Sequence, residues 1–99
     1  MAFILQMQYI YSMEIRWNAE KNLLVKRIRG VSFEEVAEII RAGDELDIIP
    51  HPTRTHQKII IVRLEVYVHA VPFVTEKDGI FLKTIYPSRS PNEQYGGTP

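Results

Sequence analysis

From Ser32 onward the apolar positions Phe33, Val36, Ala37 and Ile40 recur at i, i+3, i+4 and i+7, the spacing of one helix face. Ser32 and Glu35 are placed as a capping box, and Gly43 supplies the stop. An earlier helix is signalled from Asn18, which can cap it. Glu20 stands in the first turn, Leu24 and Ile28 share a face, Lys26, Arg27 and Arg29 suit the negative end of the dipole, and Gly30 terminates the run. After Gly43 the period shortens to that of strands, over Leu46 to Ile49, Lys58 to Leu64, Tyr67 to Val74 and Ile80 to Tyr86. The predicted fold class is therefore α+β, with two N-terminal α-helices packed on a four-stranded antiparallel sheet. Asp78-Gly79 lies in the last hairpin turn, where glycine would tolerate a positive φ. The turn at Glu65-Val66 has no such residue, and is placed there because an unbroken strand from Lys58 to Val74 would be overlong.

The ends of the chain read differently. Phe3, Leu5, Met7, Tyr9 and Tyr11 alternate with Gln6, Gln8 and Ser12, so residues 1–12 are either an extra N-terminal edge strand or an extension ahead of a domain that starts at Met13. Residues 13–89 form a single domain. Beyond Tyr86 the chain is rich in Pro, Ser and Gly, and residues 90–99 read as a flexible C-terminal tail.

Composition narrows the function classes. Ninety-nine residues without a cysteine leave room for one core and exclude disulfides, thiol nucleophiles and cysteine-based metal sites. No run approaches the length of a membrane span, and the opening residues lack the pattern of a secretory signal, so the expected location is cytoplasmic with no membrane partner. Twelve Lys and Arg balance twelve Asp and Glu, which removes any general attraction to nucleic acid. The distribution is uneven: acids crowd Glu34 to Asp47, whereas Arg54, Lys58, Arg63, Lys83 and Arg89 belong to the later half. A local basic patch on a neutral chain is the form an anion site would take.

Two groups could carry chemistry. Pro50-His51-Pro52-Thr53-Arg54-Thr55-His56 is a proline-stiffened loop bearing an imidazole and a guanidinium, suited to proton transfer and phosphate binding or, more plainly, a solvated strand connection. The second is Lys83, Tyr86, Ser88 and Arg89, clustered where the sheet hands over to the tail. Regular alternation puts Lys83 on the face of Phe81 and Ile85 but Tyr86 on that of Leu82 and Thr84, so the two converge only if a bulge intervenes. His69, in an apolar strand, reads as a hydrogen-bonded histidine of the sheet. The spacing of His51, His56 and His69 fits no metal-ligand pattern, and no cofactor is called for.

The order Trp17-Asn18-Ala19-Glu20-Lys21-Asn22, then Arg29-Gly30-Val31-Ser32-Phe33-Glu34-Glu35-Val36, then strands ending in Ile85-Tyr86-Pro87-Ser88-Arg89, resembles the BrnT family of type II toxins over about Glu14 to Arg89. That family is similar in fold to RelE-like ribonuclease toxins. The resemblance implies a metal-independent endoribonuclease that acts on RNA, ribosome-bound or free. It also implies neutralisation by a cognate antitoxin, with DNA met only through that antitoxin. Arg89 is the one site residue that the resemblance carries over. Lys83, His51 and Tyr86 join it as catalytic candidates, and Arg54, Lys58 and Arg63 as RNA-binding ones, on chemistry alone. A non-catalytic or degenerate protein-binding module of the same shape is the alternative.

Overall fold

The computed structural model describes residues 13–88. Residues 1–12, read as an edge strand or an extension, the tail over 90–99 and Arg89 lie outside the described residues. The element order is β1 (Glu14–Trp17), α1 (Ala19–Arg29), α2 (Phe33–Ala42), β2 (Asp47–Pro50), β3 (Gln57–Leu64), β4 (Tyr67–Glu76), β5 (Gly79–Leu82) and β6 (Tyr86–Pro87).

The fold is α+β, but the sheet is mixed rather than four-stranded and antiparallel. Its order is β1-β5-β4-β3-β2, with β6 also paired to β4, and β1 runs parallel to β5. Glu14–Trp17 carries no turn signal to announce it. It forms a strand because Ile15 and Trp17 pack against the core while Arg16 reaches the β4–β5 turn, donating to Glu76 and Asp78 at 2.9 Å each. Those two carboxylates hold the guanidinium's pKa above its ordinary value, and Arg16 in turn holds the Asp78 carboxyl below the usual range.

Both helices begin and end on the expected residues. Asn18 accepts from the Lys21 N–H at 2.9 Å, Ser32 and Glu35 form the reciprocal capping box, and Gly30 and Gly43 close their helices at φ 69° and 73°. The buried side of α1 differs from expectation: Asn22 and Val25 face inward, while Leu24 and Ile28 stay 44% and 64% exposed. The reason lies in Asn22, whose amide joins the two helices. Its Oδ1 accepts from the Phe33 N–H at 2.9 Å, one of the orphan donors at the start of α2, and its Nδ2 donates to Glu34 at 2.8 Å. Phe33, fully buried, stacks on Trp17 with ring centroids 5.9 Å apart. The residues that carry the family resemblance thus largely build the β1–α1–α2 corner. Asn22→Ala should cost about 1–3 kcal/mol, because it leaves the Phe33 N–H buried without a partner; a two-state urea titration measures it.

The main core lies between the helices and one sheet face, where Ile60, Val62, Leu64, Val71, Phe73, Ile80, Leu82 and Ile85 meet Val25, Phe33, Val36 and Ile40. Ile59, Ile61, Val68 and Ala70 form a second cluster on the other face, with Ile49 and Tyr86 against it. β3 therefore buries both parities, as its unbroken Ile-Ile-Ile-Val run demands.

The turn at Glu65-Val66 falls where it is expected, while the Asp78-Gly79 reading is corrected, because Gly79 already belongs to β5 and pairs with Glu76. Gly79 is not among the positive-φ residues of the described chain; the positive φ belongs to Glu65, at 60°, first of the two residues between Leu64 and Tyr67. A two-residue hairpin with positive φ only at its first position is the type II′ arrangement, which glycine favours. Glu65→Gly should therefore raise stability, by up to about 1 kcal/mol, seen as a higher urea midpoint at unchanged slope.

His69 has the structural place expected of it. It is 7% exposed on the helix-facing side of β4, opposite Val62, and its Nδ1 donates to the Tyr67 carbonyl at 2.9 Å. Burial pushes its pKa below the ordinary value, with the Tyr67 bond opposing that shift. The folded chain therefore resists the proton that the unfolded chain accepts near pH ~6.5, so this contribution to stability is present above about 6.5 and is lost as pH falls below it. His69→Leu should flatten the fall in melting temperature between pH ~7 and ~5, a window above that of the carboxylates.

Candidate functional site

Pro72 sits inside β4, a strand paired on both sides, where a missing N–H breaks a ladder. Its carbonyl accepts from the Lys83 N–H at 2.8 Å, so its nitrogen faces the same neighbouring segment and has no hydrogen to offer there. At this point β5 gives way to β6. Phe73 pairs with Leu82 but Ala70 pairs with Tyr86, so Val71 and Pro72 stand opposite Lys83, Thr84 and Ile85. This is a one-residue bulge. It places Phe81 and Tyr86 on one face of the sheet, which unbroken alternation forbids, and frees Lys83 and Thr84 from regular pairing.

The result is an open groove of about 310 Å³ lined by Lys21, His51, Arg54, Gln57, Pro72, Lys83, Thr84 and Tyr86. Each wall has a separate origin. Lys21 comes from the first turn of α1, which starts where β1 ends; His51 and Arg54 come from the β2–β3 loop; Lys83, Thr84 and Tyr86 come from the bulge and β6. The loop is tied by the His51 N–H to the Gln57 carbonyl at 3.2 Å and the Gln57 N–H to the Arg54 carbonyl at 3.1 Å. Tyr86 has its ring against the second apolar cluster.

The electrostatics are one-sided. Lys21, Arg54 and Lys83 line the groove, and no Asp or Glu does so among the described residues. His51 is also wired toward donation: its Nδ1 accepts the backbone N–H groups of Thr53 and Arg54, each at 3.1 Å. Two donors on Nδ1 leave the proton of the neutral ring on Nε2, so His51 offers an N–H rather than a lone pair. Groups of this kind suit a phosphate or a developing phosphorane.

Of the sequence candidates, His51, Arg54, Lys83 and Tyr86 meet at this groove. Lys58 does not: it pairs with Pro50 and Phe73 on the helix-facing parity, and its neighbour Gln57 is the residue that reaches the groove. Arg63 shares the groove's parity but lies at the far end of β3, about 20 Å along the strand from Gln57 at ~3.3 Å per residue. Lys21 and Gln57 were not anticipated, since a lysine in the first turn of a helix and a glutamine opening a strand carry no signal of their own. His69 lies on the opposite face of the sheet from the groove that His51 lines, and among the described residues no group of three His, Cys, Asp or Glu could hold a metal ion. No helix among the described residues is long and apolar enough to cross a membrane.

Comparison with known proteins finds no matching protein family, no matching curated protein and no matching solved structure.

Proposed function

We propose that this chain is the toxin of a type II toxin–antitoxin pair, a cytoplasmic BrnT-like protein that acts as a metal-independent endoribonuclease on RNA held in the groove. The observation that carries the reading is the charge of that groove: Lys21, Arg54 and Lys83 around one concavity with no lining carboxylate among the described residues, on a chain whose formal net charge is zero. A concentrated patch on a neutral protein selects a polyanion by local contact rather than by long-range attraction. A phosphodiester seated there meets Arg54 and Lys83 as charge-assisted donors and the His51 Nε2–H as a neutral one. In-line attack by the 2′-hydroxyl puts charge on the phosphorane oxygens, which these groups stabilise. Tyr86, Lys21 and Lys83 are the described lining groups that can share the two proton transfers, one from the 2′-hydroxyl and one to the leaving oxygen. His51 holds the loop and donates. It is not the base. Arg89 joins the site through the resemblance alone.

A second reading is a degenerate, non-catalytic module that binds a protein. Leu23, Leu24 and Ile28 on α1, exposed by 62%, 44% and 64%, support it. One experiment separates the two. Under tightly controlled bacterial expression with transcript ends mapped by primer extension, the wild type should arrest growth and create new RNA ends, and Arg54→Ala, Lys83→Ala and Arg89→Ala should abolish both while remaining folded. Arrest and cleavage that persist in all three variants would place the chemistry elsewhere. Absence of arrest and of new ends, with salt-insensitive capture of a protein partner, would establish the second reading.

A further inference from the structure

Beside the groove lies a second concavity of about 600 Å³, lined by Asn18, Glu20, Lys21, Leu24, Phe81 and Lys83. Lys21 and Lys83 line both, so the two spaces adjoin at these side chains. Their characters differ. The first is cationic, with Tyr86 as its ring; the second brings Phe81 and the exposed Leu24, with Glu20 as its one carboxylate among the described residues. Phe81 reaches this position because it shares the groove face of the sheet with Val74 on one side and Arg16 on the other. Arg16 is already engaged by Glu76 and Asp78, which leaves Lys83 as the cation beside the ring, its Nζ 5.6 Å from the ring centroid.

Resting on the reading of the groove as an RNA site, we infer that this second concavity is a nucleobase subsite, in which Phe81 stacks the base of the nucleotide next to the bound phosphate and Leu24 forms the apolar wall. The geometry suits a single strand. A base and its own phosphate need an apolar plane and a cation within one nucleotide of each other, and Lys83 stands at the junction of the two spaces. In the free protein its ammonium rests over the ring; an exposed cation–π contact of this kind is weak. A phosphate draws Lys83 toward the groove and uncovers the ring for the base. Stacking of this kind tolerates any base, because every base has a π face, while a duplex, whose bases are already stacked, gains nothing from it.

The test is binding of a fluorescein-labelled, single-stranded 2′-O-methyl RNA dodecamer, which cannot be cleaved, followed by anisotropy over a range of salt concentrations. Wild type, Phe81→Ala, Phe81→Leu and Phe81→Trp are compared, each checked for a native circular dichroism spectrum. The expected result is about ten-fold weaker binding by the Ala and Leu variants at an unchanged log–log salt slope, with affinity retained by Trp. An abasic strand of the same length should bind all four proteins equally. If the wild type binds with a salt-dependent affinity and Phe81→Leu binds as well as it does, the base subsite is refuted and the groove stands. A reduced salt slope in Phe81→Leu would also overturn the subsite, since the ring would then be holding a phosphate contact in place. If the wild type binds no RNA, the reading of the groove fails and the subsite falls with it.

Discussion

Replacing Gly79 with alanine should lower the stability of the fold by about 3 kcal/mol or more and detach β1 from the sheet. The cause is proximity, not backbone conformation. Gly79 pairs with Glu14 in the parallel β1–β5 ladder, and a Cβ built on it would stand 1.9 Å from the Glu14 carbonyl oxygen, 2.7 Å from its carbon and 2.8 Å from its nitrogen. All three are backbone atoms, so no side chain can rotate aside. Relief requires β1 to move, and β1 carries Ile15 and Trp17 into the core and the Arg16 bridge to Glu76 and Asp78. Gly43→Ala provides the comparison: its Cβ meets nothing within 4 Å, and its φ of 73° leaves only the left-handed penalty of about 1–2 kcal/mol. Urea unfolding should rank Gly79→Ala well below Gly43→Ala, and amide exchange should speed up first at Glu14–Trp17. Equal losses would mean that β1 can shift freely.

What this comparison exposes is the range over which sequence signals act. The caps at Asn18 and Ser32 and the stops at Gly30 and Gly43 involve atoms within four residues of each other, and all are readable from the chain. β1 is not. Its partner Gly79–Leu82 lies across both helices and three strands, and its own four residues offer no turn and too short a period to detect. The same distance hid the true constraint on Gly79, which looks like a turn glycine because Asp78 precedes it. Glu65 was obscured for the converse reason: its positive φ is imposed by the pairing of β3 with β4 on either side rather than by its own preference. On α1, apolar periodicity pointed to Leu24 and Ile28, but a buried amide that satisfies two partners outweighed it.

The groove was legible by residue type and illegible by geometry. A proline-stiffened His-Arg loop and a Lys-Tyr strand end were both conspicuous, yet alternation set Lys83 and Tyr86 on opposite faces. The bulge resolves that conflict, and its signal was present in the chain: Pro72, inside a strand that must pair on both sides, forces an interruption somewhere in its neighbour. Choosing between Gln57 and Lys58 had no such clue. β3 buries Ile59, Ile60, Ile61 and Val62 in succession, so neither parity marks itself as the outer one.

That adjacent pair supplies the sharpest functional test of the groove. Reversing charge at Arg54 and Lys83 together, as Arg54→Glu with Lys83→Glu, should weaken binding of single-stranded RNA by at least about 100-fold at ~100 mM salt, since two phosphate contacts become repulsions in a space with Lys21 as its remaining cation among the described residues. The log–log salt slope should fall by about 1.4, near 0.7 for each phosphate released. Lys58→Glu changes the net charge by the same amount per site, one residue from Gln57 along β3, but on the helix-facing side. It should alter affinity by less than about three-fold, because its side chain leaves the sheet on the face opposite the groove and meets no phosphate seated there, and an exposed charge acting through solvent is weakened by salt. Filter binding on the two proteins, with stability matched by urea titration, makes the comparison. An effect of Lys58→Glu equal to that of the groove variants would mean that RNA is held by general charge, and the groove would lose its claim as the site. A large loss confined to the groove pair ties recognition to the bulge that assembles it.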